Sequence, residues 1–291
     1  MAEGRWSASR VEELLLDHDS AVLRVEVTLD WHEQGHLLKL RFPTTLRDAR
    51  ATYEIPFAHL ERPVDGAEEP AQSWVDLTGT VDGRPAGLTV VSTDKHGWDA
   101  SPGDHPSIGV TAVRSAVYSW HDPALLEPEG LYRYQDQGAQ RFRYELVPHG
   151  GDWQVSQPTR RAAVLGAGVR AMLESFHPGE RPPVHSFAGD GGGPVMITAL
   201  KGSEDPADSP GGADLVVRAL ETTGRPSCAR LELGLARRVV EERFGAHQLR
   251  TFRVPADPDA PVVEVDLVEW SPKVDSKAAS GEDQPGEPVA T

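Results

Sequence analysis

The chain has 291 residues and a formal charge of -16, from 45 acidic against 29 basic side chains; such a surface repels phosphate backbones and anionic lipid headgroups, so neither nucleic acid nor a membrane is an expected partner. Hydrophobic residues make up 38% of the chain, and 28 glycines with 24 prolines favour many short strands joined by turns over a helical bundle. Cys228 is the only cysteine, which rules out an intrachain disulfide or a thiolate metal cluster and fits a reducing, cytoplasmic compartment.

From Met1 to Asp19 the only apolar run is Leu14-Leu15-Leu16, flanked by acids and too short for a secretory segment. Residues 1–20 are therefore read as a lead-in of unclear structure. From Leu23 the pattern becomes clear: Leu23, Val25, Val27, Leu29 and Trp31 alternate with Arg24, Glu26, Thr28 and Asp30, the period of a strand with one buried face. The same period returns at Leu38, Leu40 and Phe42, and at Phe142, Tyr144 and Leu146. Arg160–Leu165 has the composition of a short helix, and the prolines and glycines from Pro178 to Pro194 then stop regular structure.

A second set of alternating runs follows, at Leu215, Val217 and Ala219, at Leu231, Leu233 and Leu235, and at Val263, Val265 and Leu267. Gly189–Gly193 has no following Lys-Ser/Thr and no strand-to-helix frame, so it reads as a linker and not as a phosphate loop. The expected organisation is all-β: a large β-sandwich over 21–188, a smaller one over 189–270, and a polar, disordered tail over 271–291.

Several stretches stand out in order: Asp30-Trp31, Leu37–Pro43 (LLKLRFP), Tyr53–Phe57 (YEIPF), Glu61-Arg62-Pro63, Ser73–Leu77 (SWVDL), Asp94–Asp99 (DKHGWD) and Arg114-Ser115. Asp136-Gln137-Gly138, Gln140–Tyr144 and Pro148–Trp153 follow, then Val195–Asp205, Leu215–Arg225 and Leu249–Val254 in the second unit. Together and in this order they resemble the C-terminal region of glycoside hydrolase family 38 α-mannosidases. The resemblance implies a galactose mutarotase-like first sandwich, a small terminal sandwich, and a connection with mannose metabolism. In that family the zinc ion, the nucleophile and the proton donor belong to an N-terminal barrel and the helical bundle after it, and no residue here matches those motifs. The expectation is therefore no catalytic residue, no metal and no cofactor in this chain, with zinc confined to an upstream catalytic polypeptide as possible partner.

Two clusters are candidates for contact with α-mannosides or other carbohydrate, or with that barrel. Asp94, Lys95, His96 and Trp98 combine charge, imidazole and an indole within one short stretch, a mixture able to hydrogen-bond hydroxyls and stack on a sugar face. Tyr118, Trp120, His121 and Asp122 form the second, with Gln140 later in the same sandwich. Neither has ligand spacing suited to zinc. Lys201, Glu204, Asp205 and Glu221 are read as turn-stabilising surface charges of modest energetic weight. Three functions follow from the residues: the β-portion of an α-mannosidase, a stand-alone carbohydrate-binding module, and a complete enzyme of another class built around His121 and Asp122, for which no nucleophile–base pattern is present.

Overall fold

The computed structural model describes residues 8–118, 125–127, 130–173, 178, 186–204 and 214–269. The chain divides into two compact units, Met1–Gly179 and Glu180–Thr291. Antiparallel strands build both, in sandwich arrangements.

The first unit opens with β1 (Ser9–Leu16) and β2 (Leu23–Trp31), paired from Ser9 opposite Asp30 to Leu16 opposite Leu23. Within the stretch read as a lead-in, Ser9–Leu16 is thus an edge strand. Its alternation is absent because seven of its eight residues are exposed, on both faces, and the eighth, Glu12, is only partly covered, so burial imposes no period on them. β3 (Leu37–Pro43), β4 (Arg47–Ile55), β5 (Ala58–Arg62), β6 (Glu69–Pro70), β7 (Trp74–Val81), β8 (Arg84–Val91), β9 (Gly97–Ser101), β10 (Ser107–Arg114) and β11 (Gly138–Gly150) complete the unit. They form a seven-stranded sheet ordered β1-β2-β11-β8-β7-β4-β5 and a four-stranded sheet ordered β3-β10-β9-β6.

The facing sides bury Val25, Val27, Tyr53, Leu77, Phe142 and Tyr144 from the large sheet against Leu40, Trp98, Ile108 and Val110 from the small one. Strict alternation puts apolar side chains between the layers and polar ones outside. The far side of the large sheet is covered in part by α1 (Pro158–Ala167), which opens on Pro158, whose missing N–H is not needed there, and closes at Gly168 with φ +63°. Beneath it Trp74 stacks on Trp153 at 5.1 Å, and the Trp74 indole N–H donates to Thr159 Oγ1 at 3.1 Å. The fully buried Asp76 carboxylate accepts from the Thr78 and Thr89 hydroxyls at 2.5 and 2.6 Å and sits 2.8 Å from His149 Nε2. Gly87 leaves the space for that ring, since a Cβ there would lie 2.4 Å from His149 Cε1.

The second unit has β12 (Val195–Gly202), β13 (Leu215–Glu221), β14 (Ser227–Leu233), β15 (Arg238–Phe244), β16 (Leu249–Val254) and β17 (Val263–Val265). Their sheets are β12-β13-β16-β17 and β14-β15, around Val217, Leu231, Leu233, Phe244 and Phe252. Leu235 and Leu267 extend the sequence pattern past the strand ends and are 47% and 58% exposed. Gly189 pairs with Glu232 in an isolated bridge, and the Asp190 carboxylate accepts from Gly192 N at 3.0 Å and Ile197 N at 3.1 Å. Among the described residues no helix is long and apolar enough to cross a membrane.

Candidate functional site

The segment Asp94–Asp99 leaves β8 and enters β9, and its side chains part company within six residues. Asp94 is exposed, and its carboxylate accepts from the backbone N–H of Arg143 on β11 at 3.2 Å. Lys95 turns the other way and lies over the Phe142 ring at 4.7 Å, with Nζ 3.4 Å from Gln140 Oε1. Burial of the ammonium lowers its pKa from the ordinary 10.5, against the opposing pull of the Asp136 and Asp94 charges. His96 is exposed, and its Nδ1–H donates to the Gln72 carbonyl at 2.8 Å, since a carbonyl can only accept.

Trp98 is 0% exposed and packs between the two sheets. β9 starts at Gly97, so alternation sends the next side chain into the core; Trp98 is a core residue and leaves the set of carbohydrate-contact or interface candidates. Tyr118 is 66% exposed, with its backbone N–H bound to the Arg133 carbonyl at 2.7 Å. Trp120, His121 and Asp122 lie outside the described residues, as does Asp205. The structure therefore brings Lys95 and Gln140 together, sets Asp94 on Arg143, and leaves Tyr118 apart from both pairings. Replacing Lys95 by methionine, which keeps the packing on Phe142 and removes the charge, is expected to cost no more than about 1 kcal/mol in urea unfolding. A loss of several kcal/mol would mark Lys95 as a structural linchpin and not a surface group.

Sequence reasoning missed the neighbour of Trp98. Asp99, 0% exposed, points to the outer side of the small sheet, where its carboxylate accepts from Lys39 Nζ, from Arg41 Nη1 at 2.9 Å and Nη2 at 3.2 Å, and from the Ser101 hydroxyl at 2.8 Å. Burial acts to raise the pKa of Asp99, but the hydrogen bonds from Lys39, Ser101 and Arg41 outweigh it and hold the carboxyl below its ordinary 3.8. Glu68 also pairs with Lys39. The signal was available in LLKLRFP and GWDAS, whose polar positions alternate with core residues.

Two concavities flank these elements. One, of about 610 Å3 and mostly apolar, is walled by Pro43, Leu46, Val81 and Leu88, and the polar groups at its mouth already have partners: the Thr44 hydroxyl donates to the Pro106 carbonyl at 2.7 Å, and His105 Nδ1 lies 3.3 Å from the Thr44 carbonyl. The other, of about 530 Å3, is a polar trough on the outer side of β1, β2 and β11 that includes Asp94. Glu13 and Glu26 are direct cross-strand partners there. They stand side by side on one sheet face and do not flank a cleft from opposite walls, which is the arrangement glycosidic cleavage by two carboxyls requires. Among the described residues no three His, Cys, Asp or Glu side chains are grouped to hold a metal ion, so the zinc implied by the resemblance has no fitting donor set there.

Residues 5–123 match the model of the Glycosyl hydrolases family 38 C-terminal domain. Alpha-mannosidase 2C1 of Homo sapiens is 29% identical over 233 residues, 77% of this chain and 20% of that protein. Alpha-mannosidase G of Dictyostelium discoideum is 26% identical over 227 residues, 72% of this chain and 18% of that protein. A solved family 38 glycosyl hydrolase from Enterococcus faecalis superposes with a TM-score of 0.67 at 21% identity, covering 83% of this chain and 29% of that one, which establishes the shared fold. The chain spans about a fifth of the length of these curated relatives.

Proposed function

We propose that this chain, whose residues 5–123 match the C-terminal domain of family 38 glycosyl hydrolases, serves as the β-sandwich portion of an α-mannosidase and supports a catalytic barrel. One observation carries the reading: the likeness to alpha-mannosidase 2C1 runs through 77% of this chain yet takes up only 20% of that protein. Such a part contributes surface and stability, while bond cleavage needs paired carboxyls and, in the family, zinc, supplied from elsewhere.

The exposed edge strand β1 supports this role. Val11, Leu14, Leu15 and Leu16 are 57%, 64%, 44% and 66% exposed, and an open edge bearing apolar side chains is a surface suited to being covered. The single cysteine agrees with a cytoplasmic setting. The test is an aryl α-mannoside assay of the purified chain, alone and mixed with the catalytic part of a family 38 relative lacking its own β-domains. Expected are no turnover alone and turnover on mixing. Hydrolysis by the chain alone, rising in proportion to its concentration and surviving further fractionation, would overturn the reading.

A further inference from the structure

The polar trough on β1, β2 and β11 is built from cross-strand rows that share one face. Glu13, Glu26 and Arg143 stand in one row, and Thr28 and Arg141 are direct partners in the next. Residues directly opposite on antiparallel strands point to the same side, and here that side faces away from the core filled by Val25, Val27, Phe142 and Tyr144. Asp94 closes one wall through its bond to Arg143 N, and the Arg143 guanidinium is held by the Leu165 carbonyl at 3.1 Å. The wall is therefore fixed before any ligand arrives.

The remaining groups are free. Among the described residues Glu13, Glu26 and Arg141 have no side-chain hydrogen bond or ion pair, although carboxylates and guanidiniums lie in neighbouring rows. Glu13 and Glu26 are like charges directly opposite one another, an arrangement that costs stability and that a purely structural face has no reason to keep. The volume of about 530 Å3 falls within the roughly 300–1,000 Å3 of small-ligand clefts. Three carboxylates against two guanidiniums leave the trough close to neutral, with acceptors and donors interleaved across one face. That pattern suits an uncharged ligand carrying hydroxyls on adjacent carbons, because each hydroxyl both donates to a carboxylate and accepts from a guanidinium.

We propose that this trough is a binding site for a polyhydroxylated neutral ligand of monosaccharide or disaccharide size, with Glu26 and Arg141 as its principal contacts. It rests on the α-mannosidase reading only for the choice of a mannoside as probe; the chemistry of the trough belongs to this chain. The test is a titration of the full chain with methyl α-mannopyranoside, followed by backbone amide NMR shifts, beside titrations with free arginine and free glutamate. Saturating shifts confined to β1, β2, β11 and Asp94, absent with the two amino acids, are expected. Glu26→Gln and Arg141→Met should each weaken the apparent affinity at least fivefold without lowering the melting temperature, since both side chains are exposed and unpaired, and Glu26→Gln should raise it slightly by relieving the like-charge pair with Glu13. Absence of saturable shifts, shifts centred elsewhere, tighter binding of a charged amino acid, or variants that bind like the parent would each overturn the assignment. None of these outcomes bears on whether the chain needs a barrel for turnover, so the two readings fail separately.

Discussion

Replacing Asp99 by alanine is expected to destabilise the first unit by about 2–3 kcal/mol. Removing one partner of a buried ion pair commonly costs roughly 3–5 kcal/mol, because the charge left behind stays desolvated. Here the cations keep some access to water, Lys39 at 19% and Arg41 at 43% side-chain exposure, and Glu68 still pairs with Lys39, so the lower figure applies. Gly109 offers an internal check. It stands directly opposite Asp99 in the β9–β10 register, and a Cβ there would lie 2.1 Å from Asp99 Oδ2. Gly109→Ala should therefore displace the carboxylate and lose stability by itself, and the double variant should lose clearly less than the sum of the two single ones. Urea unfolding followed by the core tryptophans reads this out. Additive losses, or a loss below about 0.5 kcal/mol for Asp99→Ala, would show that the cluster contributes little.

The strands legible from sequence were those with one buried face. β2 alternates because Val25, Val27, Leu29 and Trp31 pack inward while Glu26, Thr28 and Asp30 meet water. β1 pairs just as completely with β2 but stays illegible, because an edge strand open on both faces places no periodic demand on its residues. The same physics explains the site. Asp94–Asp99 looks like an exposed turn by composition, yet β9 begins inside it at Gly97, so Trp98 is claimed by the core and Asp99 by the opposite face. The cationic partners of Asp99, Lys39 and Arg41, lie on β3, about 60 residues away in sequence, and only the strand order β3-β10-β9 brings them together. Likewise the trough joins β1, β2 and β11, and nothing local to Glu26 announces Arg143 as its neighbour.

Glu221 was read as a modest surface charge; it is 0% exposed, and Glu221→Gln is expected to cost the second unit about 3 kcal/mol. At the end of β13 its carboxylate accepts from Thr223 N at 2.8 Å, the Thr223 hydroxyl at 2.5 Å, Gly224 N at 2.8 Å, Arg225 N at 3.2 Å and His247 N at 3.0 Å. One side chain thus ties the β13–β14 turn to the β15–β16 turn, with His247 held at φ +55°. A glutamine has one acceptor oxygen and would press its own N–H groups against these donors, leaving several buried amides unpaired, each a loss of roughly 1–3 kcal/mol before relaxation. Burial acts to raise the Glu221 pKa, but the bonds from Thr223, His247 and Gly224 outweigh it and hold it below the ordinary 4.5. The sign follows from that depression: the ionised form is favoured by folding, so its contribution is complete above the unfolded-state value and is lost as pH falls through the lower folded-state value. The gap in stability between parent and Glu221→Gln should accordingly be widest near pH 7 and close progressively below about pH 4. Hydrogen exchange or urea titration of the second unit at pH 7 and pH 3.5 measures both terms; a gap that stays constant with pH would mean that the carboxylate charge is not what holds the two turns together.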